Sequence, residues 1–339
     1  MSEIDKVDKY NYAIDLLRIV SIISVVLIHI STKTLELVKY DFSNNFFTLY
    51  INQATRFTVP LFFFISAFVL ELSSPPNLSF ISYIKKRFSK ILLPYIFWSA
   101  IYQYLVYPNY NGNFLKSLVS GGASYQLYFI PSLFLLYLFF PLVHRYYYFF
   151  VKKQSILFFG LIQIVLLAND YYFKPLNLPQ PIGVFILNLD TFILGVIASH
   201  YQQEIRDYVK KHLISLTITT VIISILITAE AWILYRLTKN YLTFYSNWRP
   251  MGFIYTLYIG SLFFYLFDKV KTNLNLIKTI ASYSFFVFFV HIVFIEIIWK
   301  LLPTSTLVYF LIPFILVIIP SYLLAFLVSK IPYLSRLTG

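Results

Sequence analysis

The chain has 339 residues, 59% of them hydrophobic and only 12% charged, which excludes an ordinary soluble globule with about a quarter of its residues charged. It contains no cysteine, so disulfides, thiolate metal sites and a cysteine nucleophile are excluded as well. A formal net charge of +13 in so apolar a chain reads as short basic loops at a membrane face, not as a surface for nucleic acid.

The apolar residues fall in long runs such as Ile19 to Ile30, Ile91 to Val106, Phe129 to Val143 and Leu307 to Val328. Runs approaching 20 residues are what the hydrocarbon core of a bilayer asks of a helix. An all-α integral membrane protein with about ten transmembrane helices is therefore expected. The spans fall at about 13–32, 47–72, 90–107, 126–143, 154–170, 183–201, 213–235, 251–267, 277–299 and 306–328. The first twelve residues are polar, Asp15 and Arg18 interrupt the apolar run behind them, and no small-residue cleavage site follows. The first span is thus expected to stay as a helix and not to be a cleaved leader. No internal repeat or linker divides the chain, so one membrane domain over residues 1–339 is expected. With the N-terminus inside, 17 Lys and Arg fall in inner segments and 8 in outer ones, while Arg18 and Arg56 lie within spans. This bias places both termini in the cytoplasm. The outer loops are rich in Tyr, Asn and Trp, as from Asn240 and Tyr241 through Trp248, which suits interfacial anchoring and also stacking on sugars.

Ionisable side chains inside spans are costly to keep and mark candidate functional positions. The first span carries Asp15, Arg18 and His29. Arg18 and His29 are eleven residues apart, close to three helical turns, so they share a face at a separation of roughly 16 Å. Asp15 lies about one turn before Arg18 and is placed to pair with it. One helix thus offers a cation near one membrane surface and an imidazole toward the other, an arrangement suited to a long substrate with an anionic head and a distant reactive end. His29 is the best base in the chain, since its ordinary pKa lies near neutrality; the alternative is a structural histidine bonded between helices. Arg56 precedes Pro60 in the second span, and Ser66 follows it. Asp190 sits in the sixth span, Glu230 in the seventh, and His291 and Glu296 in the ninth. Each is open to a catalytic reading or to a structural ion pair, and Ser66 also to simple packing. The loop Lys85-Lys86-Arg87-Phe88-Ser89-Lys90 is able to hold phosphates or to anchor the inner membrane face. No P-loop, dinucleotide fingerprint or metal-ligand spacing occurs, so no metal is expected.

Arg18, ten residues, then His29 resembles the hallmark of the membrane-bound acyltransferase family 3. Further segments agree in order: Arg56 through Pro60 to Phe68, Lys86 through Pro94 and Tyr95 to Trp98, Gln126 through Pro141, Asp190 with Gly195, and Ser284 to His291. The similarity runs from about residue 12 to 328, and the short members that O-acetylate surface polysaccharides are the most similar. The resemblance implies transfer of an acyl group, usually acetyl, from cytoplasmic acetyl-CoA to a hydroxyl of a glycan, in a bacterial plasma membrane. It implies that His29 is catalytic, as base or as transient acyl carrier. Arg18, Arg87 and Lys90 would then hold the CoA phosphates and pantetheine, and Arg56 would line the acceptor side or the reaction centre. Three positions depart from the family's pattern: Ala67 stands where Gly is common, and Gln126 and Tyr128 where a His and a Trp are frequent. A glycan or lipid-linked-saccharide transporter is the alternative, since intramembrane charges also mark transport paths; discontinuous helices would favour it.

Overall fold

The structure, a computed structural model, describes residues 12–109, 112–173, 175–270, 274–302, 310–332 and 334. Lys6, Lys9, Lys174, Lys271 and Arg336, which enter the charge bias, and residues 306–309 of the tenth expected span lie outside the described residues. Every regular element among the described residues is helical. That follows from the apolar composition, because in lipid a backbone must satisfy its own N–H and C=O groups.

In chain order the helices are α1 (Tyr12–Leu37), α2 (Phe46–Ala54), α3 (Thr58–Ser73), α4 (Phe80–Arg87), α5 (Leu93–Ile101), α6 (Phe114–Ser120), α7 (Phe129–Arg145) and α8 (Tyr147–Phe150). Then come α9 (Lys153–Ala168), α10 (Gln180–His200), α11 (Gln202–Lys211), α12 (Leu213–Thr238), α13 (Tyr241–Tyr245), α14 (Pro250–Phe267), α15 (Leu274–Leu301) and α16 (Leu311–Ser329). Eight helices are long and apolar enough to cross a membrane, with α2 and α3 together forming the second. The third and fourth expected spans are not among the eight. The fourth is α7, only 17 residues long. The third falls in a run from Phe80 to Val106 where α-helical turns alternate with wider π-helical ones at Phe88–Leu92 and Tyr102–Val106. Pro94 has no N–H to bond the Lys90 carbonyl, which accounts for the first of these wide turns.

The sequence gives no sign of a break in the second span beyond Pro60, yet the helix stops at Ala54 and restarts at Thr58. Pro60 lacks the N–H that would bond the Arg56 carbonyl, and its ring crowds that carbonyl. The backbone turns tightly instead, with Arg56 N–H bonded to Gln53 and Thr58 N–H to Thr55. α14 repairs part of the gap: the Tyr255 hydroxyl donates to the Ala54 carbonyl at 3.1 Å, while the Thr256 hydroxyl, bonded to Gly252 at 2.8 Å, lies 3.4 Å from a Phe57 carbonyl that already accepts from Leu61.

α1 is central, packed against α2, α3, α14, α15 and α16. α3 and α10 approach most closely where small residues meet, Ala67 on one and Gly195 on the other. Gly121 ends α6 in the left-handed conformation, φ 75°, and lies against the Tyr128 backbone. This is a common helix stop, and here it folds the segment 121–128 back over the end of α1 that carries His29.

Candidate functional site

A cavity of about 420 Å³ opens at the C-terminal half of α1. α1 lines it from Val25 to Glu36, with His29, Thr32 and Lys33 between. The α2–α3 break contributes Arg56, the 121–128 segment contributes Tyr125, Gln126 and Tyr128, and the stretch around α13 contributes Tyr241, Tyr245 and Asn247. Val59, Phe62, Phe129 and Phe288 add apolar wall.

His29 is half-buried in this wall and has no hydrogen-bond partner among the described residues. Its ring packs on Tyr125, with centroids 5.0 Å apart, and on His291, 5.3 Å apart at 34°. Arg56 is 6% exposed. Its guanidinium is held entirely by neutral oxygens: Asn52 Oδ1 accepts from Nε at 3.1 Å and from Nη2 at 2.9 Å, and Nη1 donates to the Tyr245 carbonyl at 2.5 Å and to Asn247 Oδ1 at 3.1 Å. No carboxylate among the described residues pairs with it. A buried cation whose neighbours are dipoles keeps its charge available to an anion that forms beside it.

A polar framework holds Arg56 in place. The Asn52 amide donates to the Ile28 carbonyl and to the Ser31 and Thr32 hydroxyls, tying the break to the turn of α1 that carries His29. Gln53 donates to Asn52 Oδ1 at 2.9 Å and accepts a short hydrogen bond from Arg249 Nη2. Arg249 also bonds Glu230 Oε2 at 3.1 Å, and the Tyr172 hydroxyl donates to the other Glu230 oxygen. Glu230 therefore serves this framework and does not face the cavity. Arg249, counted from sequence as an outer-loop charge, is 2% exposed at the start of α14. Glu296 pairs with Lys33 at 3.7 Å and accepts from the Tyr107 hydroxyl at 3.3 Å.

A second cluster forms toward the N-terminal end of α1. Arg18 is 37% exposed and pairs with Asp15 at 3.4 Å. Arg87 lies over the rings of Tyr83 and Tyr137, at 5.3 and 5.8 Å, and its buried Nε has no partner among the described residues. Arg18 and Arg87 both lie within electrostatic reach of the Tyr137 hydroxyl, and Ser66 lies against it. Two of the three arginines named from sequence thus act on the same tyrosine. Lys90 is exposed, with no hydrogen bond or ion pair among the described residues. Asp190 is buried in α10 and has no partner among them either. Neither belongs to the cavity lining.

Between the two clusters lies an aromatic layer. Phe63 packs on Phe129 at 4.6 Å, and Phe129 on Phe288 at 5.7 Å. The cavity ends on this layer, so Arg18 and Arg87 lie outside it.

Sequence reasoning named His29, Arg56, His291 and Glu296, which the fold gathers. It missed Asn52, Gln53, Asn247 and Arg249. The available signal was the pair Asn52-Gln53 inside an otherwise apolar span. Among the described residues no group of three or more His, Cys, Asp or Glu is placed to hold a metal ion. The site thus combines an unpartnered imidazole, a dipole-held buried cation and a cavity large enough for a reacting pair of groups. Comparison with curated proteins and with solved structures gives no match. A family model described as an acyltransferase domain matches residues 11–329, nearly the whole chain, and this multi-pass membrane protein accordingly belongs to acyltransferase family 3 and is an acyltransferase.

Proposed function

We infer that the chain is a single membrane domain that takes an acetyl group from cytoplasmic acetyl-CoA and gives it to a hydroxyl of a cell-surface or lipid-linked glycan, in a bacterial plasma membrane. The observation that carries the reading is the pairing, in one cavity, of an unpartnered His29 ring with the buried and un-neutralised Arg56. The charge bias supports an orientation with the Arg18 end of α1 at the cytoplasm. The anionic head of CoA then meets Arg18 and Arg87, and its thioester reaches toward His29 along roughly 16 Å of helix. The tyrosines of α13 and Tyr125 offer faces on which an acceptor sugar stacks.

In this reading a nitrogen of His29 takes the proton of the acceptor hydroxyl as its oxygen attacks the thioester carbonyl. Arg56 holds the tetrahedral oxyanion. Collapse breaks the carbon–sulfur bond, and the proton on His29 passes to the departing CoA thiolate. In a two-step variant His29 itself carries the acetyl group before the acceptor receives it. Export of a saccharide without acyl transfer has one observation on its side, the discontinuous helix at Thr55–Phe57. Family membership weighs against it.

The test uses inverted membrane vesicles carrying the protein, with acetyl-labelled acetyl-CoA supplied outside and His29→Ala as comparison. Label in a glycan fraction with wild type alone supports acyl transfer through His29. Equal labelling by both removes His29 from the chemistry. Absence of both labelling and CoA binding points to another donor or to transport.

A further inference from the structure

We propose that His291 is a positioning residue for His29, accepting a hydrogen bond from one nitrogen of that ring while the other nitrogen takes the acceptor's proton; the proposal rests on the acyl-transfer reading above. His291 is 0% exposed and absent from the cavity lining, so it touches neither substrate. Its Nδ1 lies 2.9 Å from the Val287 carbonyl one turn earlier in α15. A carbonyl only accepts, so Nδ1 carries the hydrogen, and in the neutral ring Nε2 is left as an acceptor. That Nε2 is buried and has no partner among the described residues. The ring against which His291 packs most closely is His29, 5.3 Å between centroids, with Phe288 next at 6.3 Å.

The reaction supplies a reason for the orphaned nitrogen. On taking the acceptor's proton, His29 becomes a cation with two N–H groups, one of them turned away from the substrate. Two nearby oxygens are engaged, since Asn52 occupies the Ile28 carbonyl and Glu296 is shared by Lys33 and Tyr107, while Tyr125 lies on the cavity side where the substrates enter. Lys33 and Arg56, which line the same cavity, are cations and offer no lone pair. His291 Nε2 is a buried, unpartnered acceptor on a ring that packs against the imidazole. No hydrogen bond joins the two rings in this state, since His291 Nε2 is unpartnered among the described residues, as is common before substrates assemble. The logic is that of a base oriented by a third group, with a neutral imidazole in place of a carboxylate. A neutral partner fixes the tautomer and ring direction without fixing a positive charge on His29, so the base stays free to begin the cycle.

The test compares His291→Phe with His291→Gln in the full-length protein, by initial rates at varied acetyl-CoA and acceptor and by thermal unfolding in detergent. Gln keeps an N–H for Val287 and an oxygen for His29; Phe keeps only the bulk. The expected result for Phe is a fall in kcat of at least about thirtyfold, both KM values within about twofold, and recovery of at least about tenfold with Gln. Adding His291→Phe to His29→Ala is expected to cost nothing further, because one acts through the other. A folded Phe variant with near wild-type kcat overturns the proposal. If Phe does not fold, Met replaces it, and equal kcat for Met and Gln overturns the proposal equally. Full transfer by His29→Ala alone would instead sink the acyl-transfer role of His29 and leave His291 with nothing to position.

Discussion

Asn52 receives Arg56 through a single oxygen, Oδ1, which accepts from Nε at 3.1 Å and from Nη2 at 2.9 Å. The same amide reaches across to Ser31 and Thr32, on the turn of α1 next to His29. One neutral side chain therefore sets the relation between the candidate base and the candidate oxyanion holder. Its neutrality matters as much as its reach, since a carboxylate in that place would cancel the charge on Arg56 and, having no N–H, would leave the Ile28 carbonyl without its bond.

Asn52→Asp tests this directly. The aspartate is isosteric and pairs with Arg56 but cannot donate to the Ile28 carbonyl, so the protein is expected to fold and to melt near or somewhat below the wild-type temperature. Transfer is expected to fall by roughly 10²-fold, the scale on which single oxyanion donors act. Initial rates and a thermal melt of the same preparation suffice. A wild-type rate in the aspartate variant would show that the un-neutralised charge of Arg56 does no chemical work. Arg56→Lys is expected to lose as much, because a point ammonium cannot bond Asn52, Tyr245 and Asn247 from one plane.

The arginines at the other end of α1 predict a different signature. Arg87 lies over the Tyr137 ring, Arg18 lies within electrostatic reach of the same residue, and neither lines the cavity. If they hold the anionic head of the donor, Arg18→Ala and Arg87→Ala raise the KM for acetyl-CoA by about tenfold each, in line with one charge-assisted bond. The acceptor KM and kcat stay near wild type. A loss confined to kcat would place these residues in the chemical step instead.

Much of this arrangement was legible in the sequence where a single helix carries it. Arg18 and His29 lie on one continuous α1, and the 3.6-residue period places them without any tertiary information. The framework around Arg56 was not legible, because it is assembled across the chain. Arg56 meets Tyr245 and Asn247, some 190 residues on, and Gln53 meets Arg249, 196 residues on. Arg249 lies beside Pro250 in a polar stretch, which reads as a loop until α2 and α12 close over it. The break at Thr55–Phe57 had its cause in view, Pro60. Whether a proline only kinks a span or stops it depends on neighbours such as Tyr255, whose hydroxyl takes up the freed Ala54 carbonyl.

The two cavity-facing departures from the family's pattern, Gln126 and Tyr128, make a prediction about selectivity. Gln126 accepts from the Ser124 hydroxyl at 2.6 Å, and its buried side chain also lies against the Tyr102 hydroxyl. Tyr128 accepts from Asn247 at 3.3 Å. A polar amide in the wall suits an acceptor oxygen. Gln126→Leu is expected to raise the acceptor KM by about tenfold, near 1.4 kcal/mol, with the donor KM unchanged. Competition between two glycan acceptors before and after the change reads the effect.

The aromatic layer predicts a limit on the acyl group. Phe129 touches Phe62, Phe63 and Phe288, and the cavity ends there. A thioester arriving from the Arg18 end has to pass or displace these rings. Phe129→Leu opens space and is expected to raise the rate with butyryl-CoA relative to acetyl-CoA by about fivefold, with both measured on one preparation. An unchanged ratio would mean that the donor enters by another route.

The last prediction concerns the packing that keeps the site closed. A methyl group on Gly195 would stand 2.3 Å from the Phe64 carbonyl oxygen and 3.0 Å from the Ala67 side chain. The backbone oxygen cannot move aside without moving α3, which carries Arg56 at its head. Gly195→Ala is expected to cost about 1–3 kcal/mol by overpacking, seen as a lower melting temperature in detergent. The damage should also reach the chemistry, because pushing α3 away from α10 shifts the Thr55–Phe57 break relative to α1. Ala67→Gly removes the 3.0 Å contact but leaves the carbonyl in place, so combined with Gly195→Ala it is expected to restore little. A full rescue by Ala67→Gly would show that the side chain, not the Phe64 backbone, sets the distance between the two helices.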